Sequence, residues 1–349
     1  MSATTGVVAP RDRAELQQLL QSRPGRLRLV GSGSRQHRLP DAPGALRLQL
    51  RGLATIDRLD GPDQTCSVDC GVLRGELDAA LAPLGLELPC PGQGTLGGLF
   101  ASDPIGAATL GGQSPRTLLL GVEALLADGT PFRSGARVVK SVAGFDVHKL
   151  LVGSEGRLFV ATRLHLRLKP RPRTEQWFAN DGLELPQALE LLRRLRQQAQ
   201  GPAALQLLRR SDGRCTVRGR LAGRAAFVAA MARELGLRDS APNWQDHVDA
   251  PGGHEVLAGQ ALPSALPALL AAAPTESTLL WHGGHRFELA LPTATASEAV
   301  LAALPKLKLA ARLVATAPAR RGRGPDLDPG TAKLTADLHR ALDPHGLFV

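Results

Sequence analysis

The feature that most constrains this chain is a glycine-rich, nearly uncharged stretch between Gly92 and Gly112. Glycine adopts left-handed backbone conformations at low cost and lets a chain approach a ligand closely. Backbone N–H groups that converge in such a stretch form a nest for an anion such as a diphosphate. We therefore predict that residues 89–112 form a ligand-binding loop and not a core helix.

Within this stretch, the residues from Gly92 to Gly97 formally match the pattern GxGxxG. In the doubly wound dinucleotide-binding fold this pattern follows a strand and has an acidic ribose partner further on. Here Pro89-Cys90-Pro91 precedes the pattern, and no acidic partner stands at the usual distance. The match is accidental. The information lies in the longer string from Gly94 to Ala101, which Gly111-Gly112 and Gly121-Val122 follow.

A second glycine loop, Gly31 to Gln36, directly follows a predicted strand at residues 26–30. Its serine hydroxyls add hydrogen-bond donors, and Arg35 adds a positive charge that suits a phosphate. An ordinary serine–glycine turn explains the same residues equally well.

A third stretch runs from Lys140-Ser141-Val142-Ala143-Gly144-Phe145-Asp146 to Gly153-Ser154-Glu155-Gly156. Together and in this order, the three segments resemble FAD-binding proteins of the vanillyl-alcohol oxidase and p-cresol methylhydroxylase (PCMH) type. That family has T-x-G-G, K-N-x-x-G-Y-D-L and G-S-E-G-T-L-G in the corresponding places. The form of the third motif is most similar to the FAD-binding subunits of bacterial glycolate oxidase. Their L-D-P-x-G-x-F terminus resembles Leu342 to Phe348.

The resemblance implies an α+β fold. We expect a PCMH-type FAD-binding domain of two subdomains at residues 1–172, split near residues 55–65, followed by a smaller α+β cap or substrate-like domain with the C-terminal segment at 173–349. The proline-rich, charged segment 169–173 is the predicted linker. By resemblance, the residues expected to bind FAD are Gly31, Ser32, Gly33, Ser34, Arg35, Gln36, Thr95, Gly97, Gly98, Ala101, Ser102, Gly153, Gly156 and Val160. Residues 153–156 are also explained as a simple turn between strands.

Several residues depart from the family pattern. Ser141 stands in place of Asn, Phe145 in place of Tyr, Arg157 in place of Thr, and Phe159 in place of Gly. Phe159 weakens the cofactor prediction most, because a bulky side chain stands where the chain would approach the nucleotide. The sequence also stops before the N-P-G-R that commonly follows in the family. No histidine stands in the first loop, so the expected FAD is non-covalent.

The cysteines and the charge limit the other kinds of site. Cys66, Cys70, Cys90 and Cys215 form no CxxC pair, so no metal or iron–sulfur centre is predicted. Cys66 and Cys70 share a strand face with Val68, which indicates a buried stripe. The net charge of +10 is scattered and not interleaved with aromatic residues, so nucleic-acid binding is not expected. A solvated face or a docking surface for an acidic partner suits this charge better.

Periodicity predicts further elements. The predicted helices cover 11–21, 73–81, 185–199 and 225–235, and the predicted strands cover 46–50, 65–71, 158–168, 215–221 and 279–291. A hairpin is predicted at 118–134, around the Asp128-Gly129 turn.

By resemblance, the function is that of an FAD-binding subunit in a glycolate oxidase-like complex. Hydride from a small 2-hydroxy acid passes to the flavin, and electrons pass to a larger flavin subunit and an iron–sulfur subunit. The alternatives are a non-catalytic scaffolding subunit and a stand-alone FAD-dependent alcohol or hydroxy-acid oxidase. No catalytic residue is identified, and Trp281 to His285 is taken as structural. We expect a cytoplasmic protein with no transmembrane segment, which contacts a membrane only through its partners.

Overall fold

The structure, a computed structural model, describes residues 6–33, 42–104, 106–107, 110, 114–136, 145–242, 247–316, 320, 322 and 328–349. Three predicted FAD-binding residues, Ser34, Arg35 and Gln36, lie outside the described residues, as do Gly111-Gly112 and residues 140–144 of the third motif. We call residues 6–170 the first lobe and residues 174–316 the second lobe.

The first lobe begins with a small parallel sheet and a helix. Its elements are β1 (Val7–Val8), α1 (Arg13–Gln21), β2 (Leu27–Val30) and β3 (Leu46–Gln49), with the strands in the order β1-β3-β2. Helix α1 starts at Asp12, whose carboxylate accepts the N–H of Glu15 at 2.8 Å. Leu16 and Leu20 lie on one face of the helix and are fully buried.

The rest of the first lobe surrounds an antiparallel sheet. Its elements are β4 (Ile56–Asp60), β5 (Thr65–Asp69), α2 (Arg74–Leu81), β6 (Leu86–Glu87), α3 (Leu96–Ser102), α4 (Pro115–Leu118), β7 (Leu119–Leu125), β8 (Pro131–Gly135), β9 (Val160–Arg167) and β10 (Lys169–Pro170). The sheet order is β4-β5-β9-β7-β8, and β10 pairs with β6. The predicted hairpin is confirmed as β7 and β8. Part of the predicted linker is therefore strand, because Lys169-Pro170 pairs with Leu86-Glu87.

The second lobe is one antiparallel layer of strands with helices on one face. Its elements are β11 (Thr174–Leu183), α5 (Leu185–Gln197), β12 (Ala204–Arg209), β13 (Cys215–Gly223), α6 (Ala225–Glu234), β14 (Glu255–Gln260), α7 (Leu266–Ala271), β15 (Thr278–His282), β16 (Arg286–Leu291), α8 (Ala294–Leu307) and β17 (Ala310–Ala315). The strands are antiparallel, in the order β11-β13-β12-β15-β16-β14-β17. Apolar residues of α5 to α8 pack on one face of this sheet in a single cluster.

One strand prediction was wrong. Residues 279–291 form two strands, β15 and β16, and not one. Gly283-Gly284 and His285, whose φ is 67°, make the turn between them. The sequence prediction overlooked Gly283-Gly284, which is a turn signal between two apolar strand patterns.

The C-terminus returns to the first lobe. A last helix, α9 (Pro329–Leu342), precedes a turn in which the buried Asp343 carboxylate accepts the N–H groups of Leu347 (2.9 Å) and Phe348 (2.8 Å). Leu27 then donates its N–H to Leu347 O at 2.7 Å. Leu347 and Phe348 pack with Leu16 and Leu48 of the first lobe. The L-D-P-x-G-x-F segment thus anchors the end of the chain beside β2.

The α+β class is confirmed by these sheets and helices. The domain division at residues 172 and 173 stays a prediction, although the main hydrophobic clusters of the two lobes are separate. No helix in the described part of the chain combines the length and the apolar character needed to cross a lipid bilayer.

Candidate cofactor site

Three segments that the sequence analysis singled out meet at one cavity in the first lobe. They are the loop after β2, the start of α3, and the turn at residues 153–156. The lining residues are Leu29, Val30, Gly31, Ser32, Gly33, Leu50, Cys70, Gln93, Thr95, Gly97, Gly98, Ala101, Ser102, Leu151, Glu155, Gly156, Phe159 and Ala161. Most of the described FAD-binding candidates are therefore brought together. Gly153 and Val160 are not in the lining, and Val160 is buried in the cluster around Leu27 and Leu48.

The loop after β2 packs directly on Thr95. A Cβ atom added at Gly31 would lie 1.9 Å from the Thr95 hydroxyl oxygen, so a side chain cannot be accommodated there without movement. Gly33 has a φ of 78°, in the left-handed region that favours glycine. The two glycines thus let this loop approach α3 closely.

The glycine-rich stretch contains a helix, so the prediction of loop alone was wrong. Thr95 caps α3, because its hydroxyl accepts the N–H of Gly98 at 3.3 Å. The N–H groups of Leu96 and Gly97 donate to Val72 O and Cys70 O, both at 2.8 Å. These bonds fix the helix start against the segment after β5. Leu96, Leu99 and Phe100 then bury one face of α3 completely, which offsets the low helix propensity of glycine.

The turn at residues 153–156 joins the two other segments. Glu155 donates its N–H to Ala101 O at 2.9 Å, at the end of α3. Gly156 has a φ of 77°, and a Cβ there would lie 3.1 Å from the Cβ of Leu29 in β2. The turn therefore closes the cavity between α3 and the first sheet.

Comparison with known proteins assigns this region. Residues 4–135 match the sequence profile of a family described as an FAD binding domain. This part of the chain is an FAD-binding domain.

The relatives of the chain match it over part of its length. Glycolate oxidase subunit GlcD of Bacillus subtilis is 30% identical over 194 residues, which are 50% of this chain and 39% of that protein. D-lactate dehydrogenase of Archaeoglobus fulgidus is 31% identical over 175 residues, 48% of this chain and 39% of that protein. Glycolate oxidase subunit GlcE of Escherichia coli is 38% identical over 102 residues, 28% and 29% respectively. The chain thus matches well under half the length of each of these relatives.

Two solved structures of an alkyldihydroxyacetonephosphate synthase have the same fold. They superpose with TM-scores of 0.73 and 0.71 at 14% identity, over 98% of this chain and 75% and 76% of those chains. The similarity therefore includes the second lobe as well as the FAD-binding domain.

The residues of the FAD-binding domain suit a dinucleotide. Glycines in the lining permit close packing of the cavity wall: besides Gly31, a Cβ at Gly97 would lie 2.8 Å from the Cβ of Cys70, and one at Gly98 would lie 3.0 Å from the Thr95 hydroxyl. This packing brings the loop after β2, the segment after β5 and the start of α3 together around one cavity. The hydroxyls of Ser32, Thr95 and Ser102 are in the same lining.

Phe159, which stands in place of the family's glycine, belongs both to the core and to the cavity wall. Its ring is 1% exposed and packs edge to face against Phe132, with centroids 5.1 Å apart. The same residue forms one wall of the cavity. The hydrophobic core of the first lobe thus accommodates the aromatic side chain that replaces the family's glycine.

The cysteines near the site are buried thiols. Desolvation raises the pKa of the Cys90 thiol to about 11, although the nearby Arg74 lowers it, so the thiolate is scarce at neutral pH. Burial likewise raises the pKa of Cys70, which lines the cavity. Cys66, Val68 and Cys70 are all buried, as predicted.

Two ion pairs connect the edge of the cavity to the second lobe. Arg286 of β16 donates to the carboxylate of Asp103 at 2.5 Å, directly after α3. Arg312 of β17 donates to Glu155 at 2.8 Å, and Arg157 also contacts this carboxylate. The negative charge of Glu155, which lines the cavity, is therefore balanced by two guanidinium groups. The face of the second-lobe sheet that carries Arg286 and Arg312 is turned toward the FAD-binding domain.

That face also carries polar residues which the sequence analysis missed. Gln206 and Arg218 were not considered, and His282 was taken as structural. Gln206 and His282 stand in the largely apolar strands β12 and β15 and are fully buried, and Arg218 lies opposite Gln206 in β13. A buried polar residue in a hydrophobic strand pattern is the sequence signal that could have identified them.

Proposed function

We propose that this chain is an FAD-dependent oxidoreductase that acts on a small 2-hydroxy acid as a subunit of a heteromeric complex. The observation that carries the proposal is the single cavity at which the glycine loops of the FAD-binding domain converge. Curated relatives include two glycolate oxidase subunits and a D-lactate dehydrogenase. Glycolate and D-lactate are both small 2-hydroxy acids.

The residues around the cavity have separable tasks in this proposal. Bound FAD supplies an acceptor for the hydride that leaves the substrate α-carbon. Gly31, Thr95 and Gly98 hold the dinucleotide at close range without a covalent bond. Glu155, neutralised by Arg157 and Arg312, fixes the second lobe against the cavity. The face of the second-lobe sheet then bounds the space in which the substrate lies.

The electron route in this proposal leads to partner subunits. Each of the four cysteines is a buried free thiol, and no group of three metal-binding side chains occurs within the described residues. We therefore assign onward electron transfer to an iron–sulfur subunit, and we expect a larger flavin subunit in the same complex.

A scaffolding subunit is the second candidate. Among the residues that line the cavity, the ionisable ones are Cys70, whose pKa is raised by burial, and Glu155, which is held by arginines. A buried thiol and a carboxylate engaged by arginines favour a chain that binds FAD but depends on its partner for turnover. A stand-alone oxidase would need a base that accepts a proton from the substrate.

One experiment separates these functions. The purified chain is examined for flavin absorbance, and FAD released on denaturation is quantified. Glycolate or D-lactate is then added without oxygen. Bleaching of the flavin by the chain alone supports a catalytic oxidoreductase, and retention of FAD without bleaching supports the scaffolding role. A colourless chain that FAD cannot reconstitute would contradict both.

A further inference from the structure

A row of polar side chains crosses the face of the second-lobe sheet that is turned toward the FAD-binding domain. Gln206 of β12 is paired with Arg218 of β13 on one side and with His282 of β15 on the other. His282 is in turn paired with Arg286 of β16. Side chains paired across adjacent strands point to the same face. The row Arg218, Gln206, His282, Arg286 therefore ends at the ion pair with Asp103, beside the cavity.

The first half of the row fixes which nitrogen of His282 carries a proton. Arg218 donates from Nε to the Gln206 carbonyl oxygen at 2.8 Å, and a guanidinium can only donate. The amide oxygen of Gln206 thus faces Arg218, and its NH₂ group faces His282 Nδ1 at 3.0 Å. Since an amide NH₂ can only donate, Nδ1 must accept. The neutral imidazole then carries its proton on Nε2.

The imidazole is neutral for a clear physical reason. His282 is fully buried, and this desolvation lowers its pKa to about 3. Arg218, Arg286 and His247 lower the pKa further, and only the carboxylate of Glu288 opposes them. That carboxylate is engaged by His247 Nδ1 at 3.1 Å and by the N–H of Val248 at 2.9 Å.

The Nε2–H group of His282 is left without an acceptor within the described part of the chain. A buried donor without a partner is costly, and such groups in native proteins commonly serve a ligand or an ordered water. The neighbouring Arg286 already holds a carboxylate, that of Asp103. A donor N–H beside a guanidinium suits the two oxygens of a carboxylate.

We propose that His282 Nε2–H and the Arg286 guanidinium together bind the carboxylate of the substrate acid, which displaces Asp103 from Arg286. This inference rests on the proposed function, since it names the site at which the 2-hydroxy acid is held. His282 is a hydrogen-bond donor in this role. Its Nδ1 is occupied by Gln206 and its Nε2 is protonated, so it is not the base that removes the hydroxyl proton.

The first test needs no variant. The FAD-loaded chain is labelled with ¹⁵N-histidine, and the proton on each ring nitrogen is assigned by NMR at neutral pH. We expect His282 to be protonated on Nε2 alone. Oxalate, a carboxylate that cannot be oxidised in the same way, is then titrated in, and the His282 Nε2–H resonance is expected to shift to saturation. A proton on Nδ1, or a resonance that oxalate does not move because only water binds there, would overturn the inference.

Variants test the role of this row of polar side chains. In Gln206→Glu a carboxylate accepts from both Arg218 and His282 Nδ1, so the proton moves to Nδ1 and the affinity for oxalate falls about tenfold or more. His282→Gln, in contrast, still offers an amide donor and retains part of the affinity. His285→Asn is the matched control, because His285 lies in the adjacent turn and its Nε2 faces Arg196 at 2.6 Å. Unchanged oxalate affinity in Gln206→Glu, with FAD retained, would contradict the proposal.

Flavin reduction separates this inference from the proposed function. If oxalate shifts His282 but neither glycolate nor D-lactate bleaches the flavin, the anion site stands and the proposed reaction fails. Suppose instead that the flavin is bleached, that oxalate does not shift the His282 Nε2–H resonance, and that His282→Gln leaves the KM unchanged. The proposed reaction then stands, and the assignment of His282 as a substrate ligand fails.

Discussion

The hydroxyl oxygen of Thr95 lies 1.9 Å from the place where a Cβ at Gly31 would stand. The loop after β2 and the start of α3 therefore approach each other to a distance that excludes any side chain at residue 31. The Thr95 hydroxyl also caps α3 through the N–H of Gly98, so it cannot turn away freely. This one contact couples the first glycine loop to the second across the cavity.

Gly31→Ala should weaken FAD binding at least tenfold. The added methyl group pushes the loop from Thr95 or breaks the cap of α3, and either change alters the wall of the cavity. The measurement is a titration of the FAD-free chain with FAD, followed by flavin fluorescence. Gly61→Ala is the control, since a Cβ at Gly61 would meet no atom within 4 Å. Equal affinities of the two variants would show that the Gly31–Thr95 contact does not shape the site.

Phe159→Ala should lower the free energy of unfolding by about 3–5 kcal/mol, as large-to-small changes of buried aromatic residues do. The ring is 1% exposed and loses its edge-to-face contact with Phe132. Urea unfolding followed by circular dichroism measures the change. Restoring a small residue that the family uses would thus harm this chain, because its core is built around the ring. A neutral effect would mean that the ring is dispensable.

Acid should destabilise the chain partly through His282. Its folded pKa of about 3 lies below the ordinary 6.5, so the unfolded chain takes up the proton first as the pH falls. The stabilisation is complete above about pH 6.5 and is lost toward about pH 3, at about 1.4 kcal/mol per pH unit. Urea unfolding at pH 7, 5 and 4 should show a shallower loss in His282→Gln than in the wild type. The exposed His345, changed to Asn, serves as control and should leave the slope as it is.

Asp103→Asn should increase the affinity for oxalate several-fold. In the wild type the Asp103 carboxylate forms an ion pair with the Arg286 guanidinium. The uncharged amide in the Asp103→Asn variant competes less well for this guanidinium with an incoming carboxylate. Asn tolerates the left-handed conformation of residue 103, whose φ is 44°, so α3 should end unchanged. Calorimetric titration with oxalate measures the affinity, with FAD content as the check on folding. Weaker binding would indicate that Asp103 supports the anion site instead of blocking it.

The elements that could be predicted have local causes. Leu16 and Leu20 repeat at helical spacing in α1, and Asp128-Gly129 makes the turn of the β7–β8 hairpin. The three glycine-containing motifs indicated an FAD-binding domain through their resemblance, in the same order, to a known family. The helix at Leu96–Ser102 was missed, since its stability comes from the cap at Thr95 and from burial and not from propensity.

The sequence by itself thus determined the positions of helices such as α1, α2, α5 and α6 and of the β7–β8 hairpin, together with the residue types of the glycine loops. Both depend on residues that are close along the chain. Tertiary structure alone decided which residues meet. Asp103 and Arg286 are 183 residues apart and pair across the two lobes. Sheet register places Arg218, Gln206 and His282 in one row, and a shift of one residue would turn each side chain to the opposite face. Which nitrogen of His282 carries the proton therefore depends on strand pairing, and the local sequence does not reveal it.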